Sequence, residues 1–243
     1  MGSDSDFDSP TEARLRASSE LDALSSLDIL RLIHRQDRMA VASVGPVLRR
    51  LASLVDRADA ALRMGGRVHY FGAGTSGRLG VLDAAELVPT FSLPPGVVTA
   101  HLAGGDEAMF RAIEESEDNF AAGHAAASEL DDRAVGIGLT ASGRTPYVAG
   151  ALAGAREHGA FTALVTSNPG APLAEQADLV IVANTGAEIV AGSTRMKAGT
   201  AEKLILNGFS TALMVRQGRT WRGLMVSVQT TNEKLRVRAR RIL

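Results

Sequence analysis

The residues that could do chemistry fall in four places. The first is the run GAGTSGRLGVLDAAE, which begins at Gly72. Gly72, Gly74 and Gly77 have the spacing G-x-G-x-x-G, and the run closes a short apolar stretch and opens a helical one. That places backbone N–H groups and a helix N-terminus at the carboxyl end of a strand, where they favour an anion. Thr75, Ser76, Gly77 and Arg78 are the candidate contacts. The second place is LTASGRTP, which repeats the tripeptide Ser-Gly-Arg as Ser142-Gly143-Arg144 and adds the hydroxyls of Thr140 and Thr145. The third is GSTRMKAGT, with Ser193, Thr194, Arg195 and Lys197. Its cations could balance a phosphate or carboxylate, and its hydroxyls could equally cap a helix. The fourth is acidic: Glu86 inside the apolar run VLDAAELV, and the crowd Glu114, Glu115, Glu117 and Asp118.

Three phosphate chemistries compete for the glycine loop, and two lack their parts. A dinucleotide site needs an acid about 20 residues on to hold the ribose hydroxyls, and that region reads SLPPGVV. A P-loop needs lysine and a hydroxyl after its last glycine, where this chain has Arg78 and Leu79. A nucleophile elbow is excluded because Ser76 is followed at the required glycine position by Arg78. What remains is a loop of hydroxyls and amides suited to one compact phosphate. Two such loops at matching positions of two βα units would face a single crevice.

The elements that must position these groups follow from the hydrophobic rhythm. Five apolar runs, RVHYFG, VVTAHLA, AVGIGLT, FTALVT and DLVIVA, alternate with helical stretches. Near-continuous apolar strands separated by helices read as a parallel sheet covered on both faces. The fold class is therefore α/β, a doubly wound five-stranded parallel sheet. Leucines and valines at three- and four-residue spacing from Ser26 to Met64, stopped by Gly65-Gly66, predict an N-terminal helical pair. A further helix starts near Arg195, and the arginine-rich end NEKLRVRARRIL reads as a solvated helix face. The expected organisation is a disordered tail over 1–11, a helical segment over 12–64, the sheet domain over 65–220 and a C-terminal helix over 221–243.

Composition narrows the partners. The chain has 243 residues, 45% hydrophobic, with net charge −1 and its basic residues dispersed, which argues against a dedicated nucleic-acid or membrane-surface binder. No run approaches the roughly 18 apolar residues of a membrane span, and the acidic start MGSDSDFDSP is unlike a signal peptide. A cytoplasmic protein is expected. Absence of cysteine removes thiolate chemistry, and the five histidines show no ligand spacing, so no metal is expected.

The long motifs GAGTSGRLGVLDAAE, AGGDEAMFRAIEESED, ASGRTPY, GSTRMKAGTAEKLILN and TNEKLRVRARRI closely resemble those of the N-acetylmuramic acid 6-phosphate etherases, members of the sugar isomerase (SIS) fold. The resemblance runs from about Thr11 to the C-terminus. It implies a flavodoxin-like SIS domain that binds a sugar phosphate and cleavage of a D-lactyl ether during cell-wall sugar recycling. It also implies a homodimer working without metal or nucleotide. In it, Glu86 matches the family's general acid and Glu117 its proposed base. Glu86 lies in VLDAAELV, where burial would hold its carboxyl protonated. Glu117 stands in a crowd with Glu114, Glu115 and Asp118, where Glu115 and Ser116 depart from the family pattern. Leu15 also departs, standing where the family has asparagine. Family members run on past the position of Leu243 as a small helical domain. Two rivals share the fold: an aldose–ketose phosphate isomerase, and a non-catalytic sugar-phosphate sensor of the glucokinase-regulator kind.

Overall fold

Five short strands supply the centre: β1 (Val68–Gly72), β2 (Val98–Leu102), β3 (Val135–Leu139), β4 (Phe161–Thr166) and β5 (Leu179–Val182). All pair in parallel in the order β2-β1-β3-β4-β5. The structure, a computed structural model, describes residues 9–226. Burial follows position in the sheet. Every residue of β1 and β3 is buried, whereas edge strands β2 and β5 are half-buried along much of their length.

Among the described residues, six α-helices pack on and around the two faces. α1 (Ser26–Val44) is capped by Ser25, whose Oγ accepts the Asp28 amide at 3.2 Å. It is followed by α2 (Leu48–Arg63), and α3 (Gly74–Phe91) leaves β1. α4 (Phe120–Ala126), α5 (Pro146–Glu157) and α6 (Lys197–Arg216) complete the set. One face of the sheet meets α2, α3 and α6, with Tyr70, Ile137 and Leu139 packed among Leu54, Ile205 and Phe209. The other face meets α5 through Phe71, Leu164, Val148 and Leu152, and α4 packs on α5. Each such side chain contributes about 1.5–3 kcal/mol when removed from water. That burial fixes the strand ends to which the polar loops are attached.

The sheet prediction is met strand for strand. The tail prediction needs correction at its inner end, because Ser9 and Thr11 are buried. Their hydroxyls lie 2.8 Å apart, and the Thr11 carbonyl accepts the Gly192 amide at 3.0 Å. The long-range bond to Gly192 is what orders this polar segment. Residues before Ser26 form turns, with 3₁₀ pieces at Arg16–Ser18 and Leu21–Ala23, so the helical segment starts later than 12. Residues 1–8 of the expected tail and most of the expected helix over 221–243 lie outside the described residues. The part that is described forms a turn, with Trp221 and Leu224 bridged. No helix among the described residues is long and apolar enough to cross a membrane.

Candidate active site

β1 and β3 are neighbours, yet β1 connects through α3 to β2 on one side and β3 through α5 to β4 on the other. Their carboxyl ends therefore part, and a ligand crevice forms at such a reversal. A cavity of about 300 Å³ opens there. One wall is Ala73, Gly74, Thr75 and Ser76, and the facing wall is Leu139 to Ser142 with Thr145. Glu117, Glu12, Gly192 and Thr194 close the remaining sides.

The first wall is a helix start. Gly74 to Ser76 form the first turn of α3, whose leading amides have no intrahelical partners and so suit an anion. Gly77 lets this turn sit against the strand, since a Cβ there would lie 2.5 Å from the Gly72 carbonyl oxygen. Ser76 turns its hydroxyl inward and donates to Glu202 Oε2 at 2.6 Å.

The second wall is a hydroxyl cradle outside any helix. Thr140 Oγ1 shares hydrogen bonds with Thr145 Oγ1 at 2.9 Å and Ser142 Oγ at 3.4 Å, and accepts the Gly143 amide at 3.2 Å. Asn168 Nδ2 donates to the Ser142 carbonyl at 2.8 Å and fixes the loop to the end of β4. Gly143 has φ +69°, and a Cβ on it would lie 2.2 Å from Ala171 Cβ. The turn therefore requires glycine.

The carboxylates come from less regular chain. Glu117 lies between β2 and α4, and its carbonyl accepts the Tyr147 amide at 2.9 Å, which ties the loop to the first turn of α5. Glu12 reaches the cavity because the N-terminal segment is bound to Gly192, and it was not foreseen from the sequence. Glu202 was also missed, although Ala198, Glu202, Ile205 and Phe209 recur at the spacing of a buried helical stripe. Burial pushes its carboxyl up to about 7 against the opposing hydrogen bond from Ser76.

Several expected contacts lie elsewhere. Glu86 is exposed and outside the cavity lining, so the burial expected for it is absent. Helical geometry explains this: Asp83 and Leu87 take the inward positions of that turn. Asp83 accepts from Tyr70 at 3.0 Å and Ser210 at 2.9 Å, and desolvation raises its pKa. Arg78 donates to the carbonyls of Ala108 at 2.9 Å and Arg111 at 3.2 Å, so it braces the loop that precedes Glu117. Lys197 is buried and donates to Gln36 on α1 at 2.9 Å. Arg195 is exposed beside a second cavity of about 290 Å³ that shares Thr75. Gly77 and Gly143 shape the walls, while Arg144 and Ser193 are outside the lining. The start of α6 is capped by neither Ser193 nor Thr194. Instead the buried Glu188 carboxylate accepts the Lys197 and Ala198 amides at 3.1 and 2.9 Å. His101 pairs with His69 at 2.9 Å and His124 with Glu157 at 2.9 Å, both away from this cavity.

The five-stranded parallel sheet with paired hydroxyl loops at its switch point is a SIS-type α/β fold. A phosphoheptose isomerase from Francisella tularensis superimposes with a TM-score of 0.62 at 18% identity, over 78% of this chain and 98% of that one, which shows the shared fold. Residues 47–156 match the family described as the glucokinase regulatory protein N-terminal SIS domain. The N-acetylmuramic acid 6-phosphate etherase of Thermobifida fusca is 56% identical over 234 residues, covering 96% of this chain and 77% of that protein. The etherase of Jannaschia sp. is 48% identical over 235 residues, covering 96% and 74%. The chain belongs to the N-acetylmuramic acid 6-phosphate etherase family.

Proposed function

We propose that this chain cleaves the D-lactyl ether of N-acetylmuramic acid 6-phosphate, giving N-acetylglucosamine 6-phosphate and D-lactate, as a carbon–oxygen lyase of cell-wall sugar recycling. The observation that carries the reading is that Glu117 lines the same cavity as both hydroxyl-bearing loops. The loops hold the 6-phosphate through the first-turn amides of α3 and the hydroxyls of Thr75, Thr140, Ser142 and Thr145. Ring opening yields a C1 aldehyde that acidifies the C2 proton, and Glu117 removes that proton as general base. Loss of the lactyl oxygen from C3 needs an acid, after which water adds at C3 and the proton returns to C2. Net, one water is consumed and one ether bond is exchanged for two hydroxyls, with no redox change.

Glu86 serves as that acid across a subunit boundary. It lies eleven residues beyond Thr75 on α3, about 16 Å along the axis from the turn that lines the cavity. It is outside the lining of its own chain's cavity. It stands beside exposed Leu82, 42% accessible, on a face that a second copy would cover. We assign the working unit as a cytoplasmic homodimer in which each chain supplies Glu117 to its own cavity and Glu86 to its partner's. It acts without metal or nucleotide.

D-lactate release from N-acetylmuramic acid 6-phosphate by the purified chain tests the reaction. Mixing Glu86→Gln and Glu117→Gln chains, each inactive alone, tests the shared site. Half of the dimers are then mixed with one intact site each, so about a quarter of wild-type activity returns. No recovery on mixing would place both groups in one chain and overturn the shared site. The glucokinase-regulator match over 47–156 favours one second reading, a sugar-phosphate sensor. That reading requires saturable binding of the sugar phosphate without lactate release.

A further inference from the structure

Glu202 is a carboxyl that the proposed chemistry does not use, placed behind a residue that it does. It is 5% exposed on the sheet-facing stripe of α6, packed among Ala141, Val165, Thr166, Ala183 and Ile205. Oε2 accepts the Ser76 hydroxyl at 2.6 Å, and Oε1 has no hydrogen-bond partner among the described residues. Ser76 is in turn part of the cavity wall.

A serine hydroxyl has one proton. While Ser76 gives it to Glu202, the Ser76 oxygen presents only lone pairs to the cavity, with a buried negative charge directly behind. Both features oppose an incoming phosphoryl group. A protonated Glu202 reverses the bond: its Oε2–H donates to Ser76 Oγ, and the Ser76 proton turns outward. We propose that Glu202 is a positioning residue for the phosphate loop, setting through the direction of its hydrogen bond whether Ser76 can donate to the phosphoryl group of the ligand. Ligand binding then takes up one proton from solvent onto Glu202, with no covalent change. The inference rests on the sugar-phosphate reading of the cavity.

Both states are accessible near neutrality because burial holds the Glu202 carboxyl up to about 7. The charged groups on the elements packed around it are engaged elsewhere. On α3, Arg78 binds the Ala108 and Arg111 carbonyls, Asp83 is held by Tyr70 and Ser210, and Glu86 is exposed. On α6, Lys197 binds Gln36 and Lys203 binds Asn207. Glu188 holds the first amides of α6. Strand β4 and the residues after β3 and β5 present Val165, Thr166, Ser167, Ala141 and Ala183 to it, none of them charged. Glu12 and Glu117 stand around the cavity itself, and their charges act alike on the wild type and on a Glu202 variant.

The test measures binding of inorganic phosphate and of N-acetylglucosamine 6-phosphate by calorimetry, from pH 6 to 8.5, in the wild type, Glu202→Gln and Glu202→Leu. The ligand's own second ionisation is common to all three and cancels in their ratios. The glutamine amide can donate to Ser76 at every pH. Glu202→Gln is therefore expected to match the wild type near pH 6 and to bind about tenfold tighter than it by pH 8. Glu202→Leu, which neither donates nor carries charge, is expected to show the same loss of pH dependence with weaker binding than glutamine. Calorimetry of the wild type and of Glu202→Gln in two buffers of different ionisation heat should show greater proton uptake by the wild type at pH 7.5. A ratio of wild type to glutamine that stays flat across the range would overturn the inference. So would uniformly weaker binding by the glutamine variant. Because these readouts do not use lactate, a switch without lactate release would sink the etherase reading and leave this one standing. Lactate release with a flat ratio would do the reverse.

Discussion

The tripeptide Ser-Gly-Arg occurs at the ends of two neighbouring strands, and the two copies are built differently. In the first, Ser76-Gly77-Arg78 lies in the opening turns of α3, its serine faces the buried Glu202, and its arginine braces the loop before Glu117. In the second, Ser142-Gly143-Arg144 is an open turn with glycine at positive φ, and its serine joins a network with Thr140 and Thr145 fastened by Asn168. The first offers a helix terminus whose key hydroxyl is under the control of a proton. The second offers fixed hydroxyls, which among the described residues bond to one another and to backbone amides. A shared tripeptide thus marks where a ligand is held without determining how.

Three substitutions test how far that contrast extends, and the largest effect separates both loops from the chemistry. Glu117→Gln is expected to lower kcat by about 10²–10⁴-fold while phosphate affinity stays near wild type, read by lactate release beside calorimetry. A parallel loss of phosphate binding would make Glu117 part of the anchor. Next in size is Ser142→Ala, which removes one donor from the fixed cradle. It is expected to raise KM about tenfold, within the range for a hydrogen bond to a charged group, by the same factor at pH 6.5 and pH 8. A pH-dependent factor would place the second loop under a proton as well. Smallest is Arg78→Ala. Since its guanidinium holds two carbonyls instead of the cavity, KM should stay within about threefold, with the change appearing as a lowered melting temperature. A large rise in KM would return Arg78 to the phosphate site.

Glu202 also has a stability consequence with a definite sign. Its folded pKa of about 7 exceeds the usual glutamate value, so its contribution to stability is fully present below the unfolded pKa, near 4.3, and is lost as pH rises toward 7. Relative to the wild type, Glu202→Gln should gain stability across that window in denaturant titrations. Buried His69, with its pKa lowered to about 4 by desolvation and then by the charges of His101 and Arg67, acts in the opposite sense as pH falls. Since it is present in both proteins, it cancels in the comparison.

The strands were legible because each is a near-continuous apolar run bounded by polar loops, and every one forms where the runs place it. The two hydroxyl loops were legible for a related reason, since each follows a strand directly. The carboxylates were harder. Apolar neighbours suggested that Glu86 was buried, yet in a helix the inward direction returns every three to four residues, and Asp83 and Leu87 occupy it. The same periodicity, applied to α6, would have singled out Glu202. Lys197, a candidate because a lysine beside a hydroxyl cluster looks like a phosphate ligand, lies outside the cavity lining. Its actual partner, Gln36, is 161 residues away on a helix whose docking no local pattern reveals. Glu12 was hidden in the same way, its place depending on the bond between Thr11 and Gly192.

That last bond ties the opening residues to the segment before α6, and it makes the cavity indivisible. Its walls are drawn from Glu12, from the ends of β1 and β3, from Glu117, and from Gly192 and Thr194. No internal stretch of the chain much shorter than the described residues contains all of them. A protease cut that released the segment around Thr11 would remove one wall while leaving the sheet intact, so binding would be lost before the fold was. Residues 9–12, which carry almost none of the core, therefore belong to the smallest unit able to work.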